Sequence, residues 1–174
     1  YDTSSLTYHP FLVAAQQSQD MIDALTAARS ALPMGSGVGD NGQLFITGYS
    51  QGGYVAMATH RAMQAAGMTV TASAPMSGPY ALAAFVDAEF EGEVSGGAPV
   101  VATLLITGYQ HSYGNIYTNA TDIFAPEYAS GIAALLPSTM LRSQLYSAGL
   151  LPETTLFDST APGAAYASIT PATV

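Results

Sequence analysis

The chain has 174 residues, of which 49% are hydrophobic and 9% charged, and its net charge is −9. This hydrophobic content argues against a disordered chain, and the length is enough for a real core. With only three basic residues no basic patch can form, so we expect no nucleic-acid or anionic-membrane partner. The absence of cysteine excludes disulfides and a thiol nucleophile.

No apolar run approaches the roughly 20 residues that a membrane-spanning helix needs, so we expect no membrane span. The composition is lysine-free and rich in Ala, Gly, Ser and Thr. It favours an exported, processed protein, secreted or periplasmic.

The first half of the chain predicts helix, strand, helix and strand. Apolar residues recur at three- and four-residue steps between 10 and 32, which predicts a helix, and a Gly-rich loop follows at 35–42. A strand at 43–48 leads into a helix that ends near Gly67, and 68–75 predicts a second strand. This order is typical of a parallel sheet, and the lack of clean alternation suggests strands buried on both faces.

After residue 79 the pattern becomes mostly helical. Helices are predicted at 80–90, at 98–106 (where a strand is the alternative), and within 122–136 and 138–148. The last residues, from 150 on, are rich in Pro, Thr and Ala and poorly patterned. We therefore expect an α/β chain with residues 1–79 as a sheet-containing core portion and residues 80–174 as a helical cap.

The most informative stretch is Gly48-Tyr49-Ser50-Gln51-Gly52, which reads G-x-S-x-G between a predicted strand and a predicted helix. That context is typical of a nucleophile elbow, which raises a serine hydroxyl above the end of a sheet. We expect both glycines to be needed sterically, because the turn is strained and strand and helix pack closely. The helix N-terminus would aim N–H groups at a developing oxyanion.

The chain resembles bacterial secreted-type α/β-hydrolases of the lipase and esterase kind. The resemblance runs from residue 9 to about 137. Its residues are His9-Pro10-Phe11-Leu12, the elbow with its flanks at 45–53, Ala74-Pro75-Met76-Ser77-Gly78-Pro79-Tyr80, and Tyr113-Gly114-Asn115-Ile116-Tyr117. It implies an α/β-hydrolase fold, a parallel sheet with flanking helices and a helical cap.

By this resemblance Ser50 is the nucleophile and the backbone N–H of Gln51 is an oxyanion-hole donor. Such hydrolases run Ser, acid, His in chain order, with the last two after the cap. The chain thus looks like a middle portion of a larger hydrolase, with the acid, the His and the second oxyanion donor outside it.

Three histidines could in principle serve Ser50 as a base. His60 lies ten residues further along the same predicted helix, about 15 Å away and out of reach, so we expect a surface residue. His9 is expected in a loop or at a helix start. His111, in the predicted cap, is the internal candidate, although a cap is an unusual place for a catalytic base.

The carboxylates offer no clear triad acid. Asp87, Glu89, Glu91 and Glu93 form an acidic run that is most simply solvated, and nothing resembles a twelve-residue calcium loop. Other acids stand alone, and none follows a strand as a triad acid would: Asp122, Glu127, Glu153 and Asp158. We therefore expect no metal and no cofactor.

Aromatic residues cluster in the second half: Tyr80, Tyr109, Tyr113, Tyr117, Phe124 and Tyr128. They would form the core of the cap, or alternatively the wall of an acyl- or aromatic-binding pocket. Tyr49, beside the serine, and Tyr113 are the candidate substrate-binding residues.

The sequence thus predicts a serine hydrolase that cleaves carboxylic esters through an acyl-enzyme. A second hypothesis is an inert fragment, or one subunit of a split hydrolase that associates with a complementary chain. A third keeps the fold and changes the chemistry to acyl transfer or amide cleavage. If these residues stand alone, the small sheet should expose edges and apolar surface.

Overall fold

The computed structural model describes residues 7–32, 37, 39–91 and 97–152, with backbone alone for 89–91. The chain divides into two compact units, which are described separately. The sheet unit lies within Leu12–Tyr80, and the helical unit comprises residues up to Phe11 and from Ala81 onward. Most of the poorly patterned stretch predicted from residue 150, from 153 on, lies outside the described residues, and the domain boundary after residue 79 stays a prediction.

The sheet unit is built as helix, strand, helix, strand. Helix α1 (Ala14–Ala31) precedes strand β1 (Phe45–Tyr49), helix α2 (Gln51–Ala65) and strand β2 (Ala72–Met76). The strands pair in parallel, with Phe45 beside Ala72 and Tyr49 beside Met76. Parallel neighbours need a crossover connection, which α2 supplies. The predicted parallel β–α–β arrangement is confirmed.

Helices α1 and α2 pack on each other, and one face of the sheet packs against them. The buried centre of this layer is Ile46 of β1 with Ala56 and Met63 of α2, and Ile22 and Leu25 of α1 pack against it. Helix α2 ends where Gly67 takes φ +71°, and the Met68 N–H donates to the Met63 carbonyl at 2.8 Å. Glycine adopts this left-handed conformation without strain, so the predicted C-terminal cap is confirmed.

Within the described residues the other face of the two strands is open, so burial on both faces, which the sequence suggested, is not found there. Phe45 is 66% exposed, Tyr49 71% and Met76 49%. Side chains alternate across a strand, so these residues share the face opposite Ile46. The sheet therefore presents the uncovered apolar surface and unpaired edges that its small size predicted.

The helical unit contains six helical segments within the described residues. They are α3 (Leu82–Glu91), α4 (Ala98–Tyr113), a 3-10 turn (Ala120–Asp122), α5 (Pro126–Ala129), α6 (Ile132–Leu135) and α7 (Arg142–Ser147). Helix α4 packs with α3 and α6. The preference for helix over strand at 98–106 is confirmed, and that helix continues to Tyr113.

Helix α4 is buried on all sides along much of its length. Every residue from Leu105 to Tyr109 is buried, which is typical of a helix inside a core rather than at a surface. A methyl group on Gly108 would come within 2.8 Å of the His9 carbonyl oxygen, so the segment before Phe11 crosses this helix closely. Gly114 ends α4 in the left-handed conformation at φ +72°.

No helix in the described part of the chain is long and apolar enough to cross a membrane.

Candidate active site

Ser50 occupies a strained turn between β1 and α2. Its φ of 54° and ψ of −120° lie outside the regions that residues with a Cβ normally adopt. Such a conformation costs on the order of 1–3 kcal/mol and persists only where the surrounding structure holds it. The side chain is exposed, and among the described residues no side chain hydrogen-bonds to its hydroxyl.

The glycines around Ser50 differ in how much space they have. A methyl group on Gly48 would overlap the carbonyl group of Gly52, whereas one on Gly52 would meet no atom of the described residues within 4 Å. The steric prediction therefore holds for Gly48 and is wrong for Gly52, since that side of the helix faces open space. Gly53, which follows the motif, is the second crowded position, because a methyl group there would overlap the Met76 carbonyl oxygen.

The end of β2 holds the turn in place. The Ser50 backbone N–H donates to the Met76 carbonyl at 3.0 Å, and the Tyr54 N–H donates to the Ser50 carbonyl at 3.2 Å. Ser77, directly after β2, also has a positive φ, of 48°. A methyl group on Gly78 would come within 2.6 Å of the Tyr54 nitrogen. The loop after β2 therefore lies against the start of α2.

The sequence did not predict these contacts between the end of β2 and the turn at Ser50. The residues that make it belong to the Ala74–Tyr80 segment on which the family resemblance partly rests. Pro75, Gly78 and Pro79 signalled a turn there, and turn residues alone do not say which carbonyl will meet which amide.

Gln51, the expected oxyanion-hole donor, is the first residue of α2. N–H groups in the first turn of a helix are oriented toward the preceding turn and carry the positive end of the helix dipole. The structure thus places the Gln51 backbone next to Ser50, in the helix position where an oxyanion donor would be needed.

The two candidate substrate-binding tyrosines belong to different units. Tyr49 is the last residue of β1 and precedes Ser50. Its exposed side chain lies on the uncovered side of the sheet, and Met76 is its partner on β2. Tyr113 is the last residue of α4, where its ring lies 5.4 Å from that of Tyr109. Tyr49 and Ser50 are therefore neighbours within the sheet unit, and Tyr113 belongs to the helical unit.

The histidines are each engaged in local contacts. His60 of α2 lies with Nδ1 2.8 Å from the Ser73 hydroxyl of β2, so this predicted surface residue links helix and strand. His111, in the last turn of α4, stacks on Tyr8 with ring centres 4.7 Å apart. His9 is half-buried in the segment that crosses α4.

Two of the described carboxylates, Asp122 and Asp40, hold local structure and do not directly follow a strand. Asp122 accepts hydrogen bonds from the backbone N–H groups of Thr118 and Asn119, which caps the 3-10 turn. Asp40 accepts from the Gly42 N–H at 2.7 Å and from Arg29 Nε at 2.6 Å. These bonds hold the pKa of Asp40 below its usual value.

Other acids give less information. Asp87 is half-buried on α3, and the side chains of Glu89, Glu91 and Glu93 lie outside the described residues, as do Glu153 and Asp158. In the described ranges no group of three or more His, Cys, Asp or Glu side chains could hold a metal ion.

The aromatic residues of the helical unit divide by burial. Tyr109 and Phe124 are fully buried, which fits a core role, and Tyr117 meets Phe124 edge to face at 6.1 Å. Burial raises the pKa of Tyr117 above its usual value. Tyr113 and Tyr128 retain exposed surface.

Comparison with known proteins gives structural matches only. No family model matches the chain, and no curated protein matches it in sequence. It is similar to the rice cell wall degrading esterase LipA from Xanthomonas oryzae, with 30% identity and a TM-score of 0.80 over 96% of this chain. A ligand-bound form of that esterase gives 29% identity and a TM-score of 0.79, again over 96% of this chain.

A structure from Legionella pneumophila, described as a hydrolase, has 22% identity and a TM-score of 0.75 over 95% of this chain, which shows a shared fold alone. This chain covers 45% of the esterase, 47% of its ligand-bound form and 43% of the Legionella chain. It thus spans about half the length of the structures it matches. A mostly helical chain with a small parallel sheet and these neighbours is consistent with a partial α/β-hydrolase.

Proposed function

We propose that this chain is part of a serine hydrolase that cleaves carboxylic esters, with Ser50 as the nucleophile. The observation that carries the proposal is the strained, exposed Ser50 between a parallel strand and the start of α2. The similarity to an esterase at 30% identity supports the ester as the substrate class. An extracellular or periplasmic location is part of the proposal, supported by the sparse charge of the chain.

The reaction follows from the position of the hydroxyl. The Ser50 oxygen attacks the ester carbonyl carbon, and a histidine supplied by sequence outside these residues takes the hydroxyl proton. The Gln51 N–H stabilises the negative oxygen of the tetrahedral intermediate, and the same histidine protonates the departing alcohol. Water then attacks the acyl-enzyme, which releases the acid and restores Ser50.

Substrate contacts would come from the surface around the serine. Tyr49 offers an exposed ring directly beside Ser50 and is the proposed wall for the acyl or alcohol group. Tyr113 is proposed as a second substrate-contacting residue because its ring keeps exposed surface at the end of α4.

The test is the hydrolysis of p-nitrophenyl esters. It uses the protein at its natural length. Ser50→Ala should lower kcat/KM by about 10⁴-fold or more, as expected for loss of a nucleophile. Ser77→Ala is the matched control, because Ser77 is also an exposed serine with positive φ near the same turn. Equal activity of the Ser50→Ala and Ser77→Ala proteins would contradict the proposal.

A second candidate function is favoured by the open face of the sheet. We propose that the surface formed by Phe45, Tyr49 and Met76, called the open face below, is covered by a complementary part of a hydrolase, on the same or another chain. Parallel strands are normally buried on both faces, and a two-stranded sheet alone is marginal in water. The chain covers 45% of the matched esterase, which also supports a complementary part that covers this face.

Size-exclusion chromatography with light scattering tests this alternative on the 174-residue chain. Association, or strong binding of a hydrophobic dye that Phe45→Ser weakens, is the expected result. Met57→Ser is the matched control, because Met57 is an exposed apolar residue of α2. A stable monomer of 17.9 kDa without dye binding would contradict it.

A further inference from the structure

The helical unit contains a cavity of about 350 Å³ that the proposed reaction does not use. Its walls come from the segment before α1, from α4, and from the residues between α6 and α7 with α7 itself. The cavity is partly open to solvent, and its volume lies at the lower end of the range of about 300–1,000 Å³ that is usual for small-ligand pockets.

The apolar part of the wall is aliphatic. Val100 and Leu104 of α4 face it, together with Leu136, Met140 and Leu145. Among the described lining residues the only ring besides proline is the imidazole of His9, so there is little surface on which an aromatic ligand could stack. An alkyl chain fits such walls because it is flexible and gains by leaving water.

One positively charged side chain lies beside these aliphatic residues. Arg142, the first residue of α7, lines the cavity and is the only Lys or Arg in residues 1–11 and 81–174. Among the described residues no carboxylate lies within ion-pair distance of its guanidinium. A methyl group on Gly97 would come within 3.1 Å of Arg142 Nη1, so the guanidinium lies against a bare glycine backbone.

A hydroxyl donor lines the same cavity. The Ser138 oxygen accepts the Met140 N–H at 3.1 Å, which leaves the hydroxyl hydrogen of Ser138 to donate to another oxygen. The guanidinium can only donate and the Ser138 hydroxyl can donate, so a carboxylate is an acceptor that matches this pair in charge and geometry.

We propose that this cavity binds a medium-length aliphatic carboxylate, with its alkyl chain against Leu104 and Leu145 and its head group on Arg142 and Ser138. Arg142 has no carboxylate partner among the described residues, so a carboxylate from solution can pair with its guanidinium beside the apolar wall. The site does not depend on Ser50, and it stands whether or not the protein hydrolyses esters.

Isothermal titration calorimetry with octanoate tests the proposal on the 174-residue chain carrying Ser50→Ala. Saturable binding of one octanoate is expected, and Arg142→Gln should weaken it about tenfold, since a charge-assisted bond is lost. Arg61→Gln is the matched control, because Arg61 is an exposed arginine of α2 in the sheet unit and should leave binding unchanged.

Two further arms separate the head group from the cavity. Binding of 1-octanol should be weaker than that of octanoate and insensitive to Arg142→Gln. Leu104→Trp, which fills the cavity, should remove binding of both, with circular dichroism as the check that the helices persist. If the Trp variant does not fold, the comparison of Arg142→Gln with Arg61→Gln still tests the proposal.

Three results would overturn the proposal. One is the absence of saturable octanoate binding. Another is equal binding of octanoate and octanol with no effect of Arg142→Gln, which would mean a purely apolar cavity. The last is an equal loss in Arg61→Gln, which would mean attraction by charge in general rather than by this site.

Discussion

The two units bury their apolar residues in different ways. In the helical unit α4 is surrounded, so that even consecutive residues such as Leu105 and Ile106 are withdrawn from solvent. In the sheet unit β1 buries Ile46 on one side and leaves Phe45 and Tyr49 exposed on the other. The proposed nucleophile stands at the end of this half-covered strand.

This difference places the best-buried core in one unit and the proposed nucleophile in the other. The helical unit holds its own core within the described residues, whereas the sheet unit holds a strained Ser50 on a sheet with an uncovered face. The strain at Ser50 must be held locally: its N–H bonds to the Met76 carbonyl, and Gly48 and Gly53 let the backbone pack closely around it. We expect substitutions to separate these roles.

The largest effect on stability is expected in the core of α4. Ile106→Ala should lower the free energy of unfolding by about 2–5 kcal/mol, because a fully buried side chain leaves a cavity. Phe45→Ala removes a larger side chain from the open face, yet in the monomeric chain it should change stability by less than about 0.5 kcal/mol. Urea unfolding followed by circular dichroism measures both. A similar loss in the two variants would mean that the open face is covered in solution.

The next effect contrasts the two glycines of the G-x-S-x-G motif. Gly48→Ala should destabilise by about 1–3 kcal/mol, because its methyl group overlaps the Gly52 carbonyl. Gly52→Ala lies in open space at the start of α2 and should be neutral or stabilise by up to about 1 kcal/mol. Thermal unfolding compares the two variants. An equal loss in both would show that the space beside Gly52 is occupied in solution.

A smaller effect contrasts two buried threonines, one in each unit. The Thr103 hydroxyl of α4 donates to the Pro99 carbonyl at 2.7 Å, whereas the Thr59 hydroxyl of α2 is buried without a partner among the described residues. Thr59→Val should therefore stabilise by about 1 kcal/mol, and Thr103→Val should destabilise by a similar amount. Chemical denaturation gives the sign, and a loss in Thr59→Val would indicate that its hydroxyl is satisfied.

The smallest effect is the pH dependence from Asp40. Its pKa in the folded chain is lowered, first by the Gly42 N–H and then by Arg29, so its contribution is present above the unfolded pKa. That contribution is lost as pH falls through the lower, folded pKa. Asp40→Asn should slightly lower the melting temperature near neutral pH, and the difference should shrink in acid. A difference that grows in acid would contradict this assignment.

Much of the sheet unit could be predicted because its signals are local. The apolar run before Gly48 and the helical spacing after Ser50 predicted β1 and α2, and Gly67 marked the end of α2. The open face could not be read from β1 itself, since Phe45 and Ile46 are both apolar and look equally fit for burial. Which side is covered depends on where α1 and α2 pack, a tertiary property.

The candidate site shows the same limit. Ser50 and Gln51 are placed by adjacent residues, so the motif was enough to locate them. The bond from Ser50 to Met76 joins residues 26 positions apart in sequence, and the Arg142 cavity joins three separate segments. Such contacts leave no periodic pattern. His60 was predicted to be a surface residue, and its bond to Ser73 likewise depends on where β2 passes the helix.

The central claim is that Ser50 is the nucleophile, and a fluorophosphonate probe tests it most directly. The protein is labelled at its natural length, and mass spectrometry locates the adduct, with Ser50→Ala and Ser77→Ala proteins alongside. We predict one adduct, on Ser50, that is absent from the Ser50→Ala protein and retained in the Ser77→Ala protein. An active preparation that carries its adduct on another serine, or none, would contradict the claim.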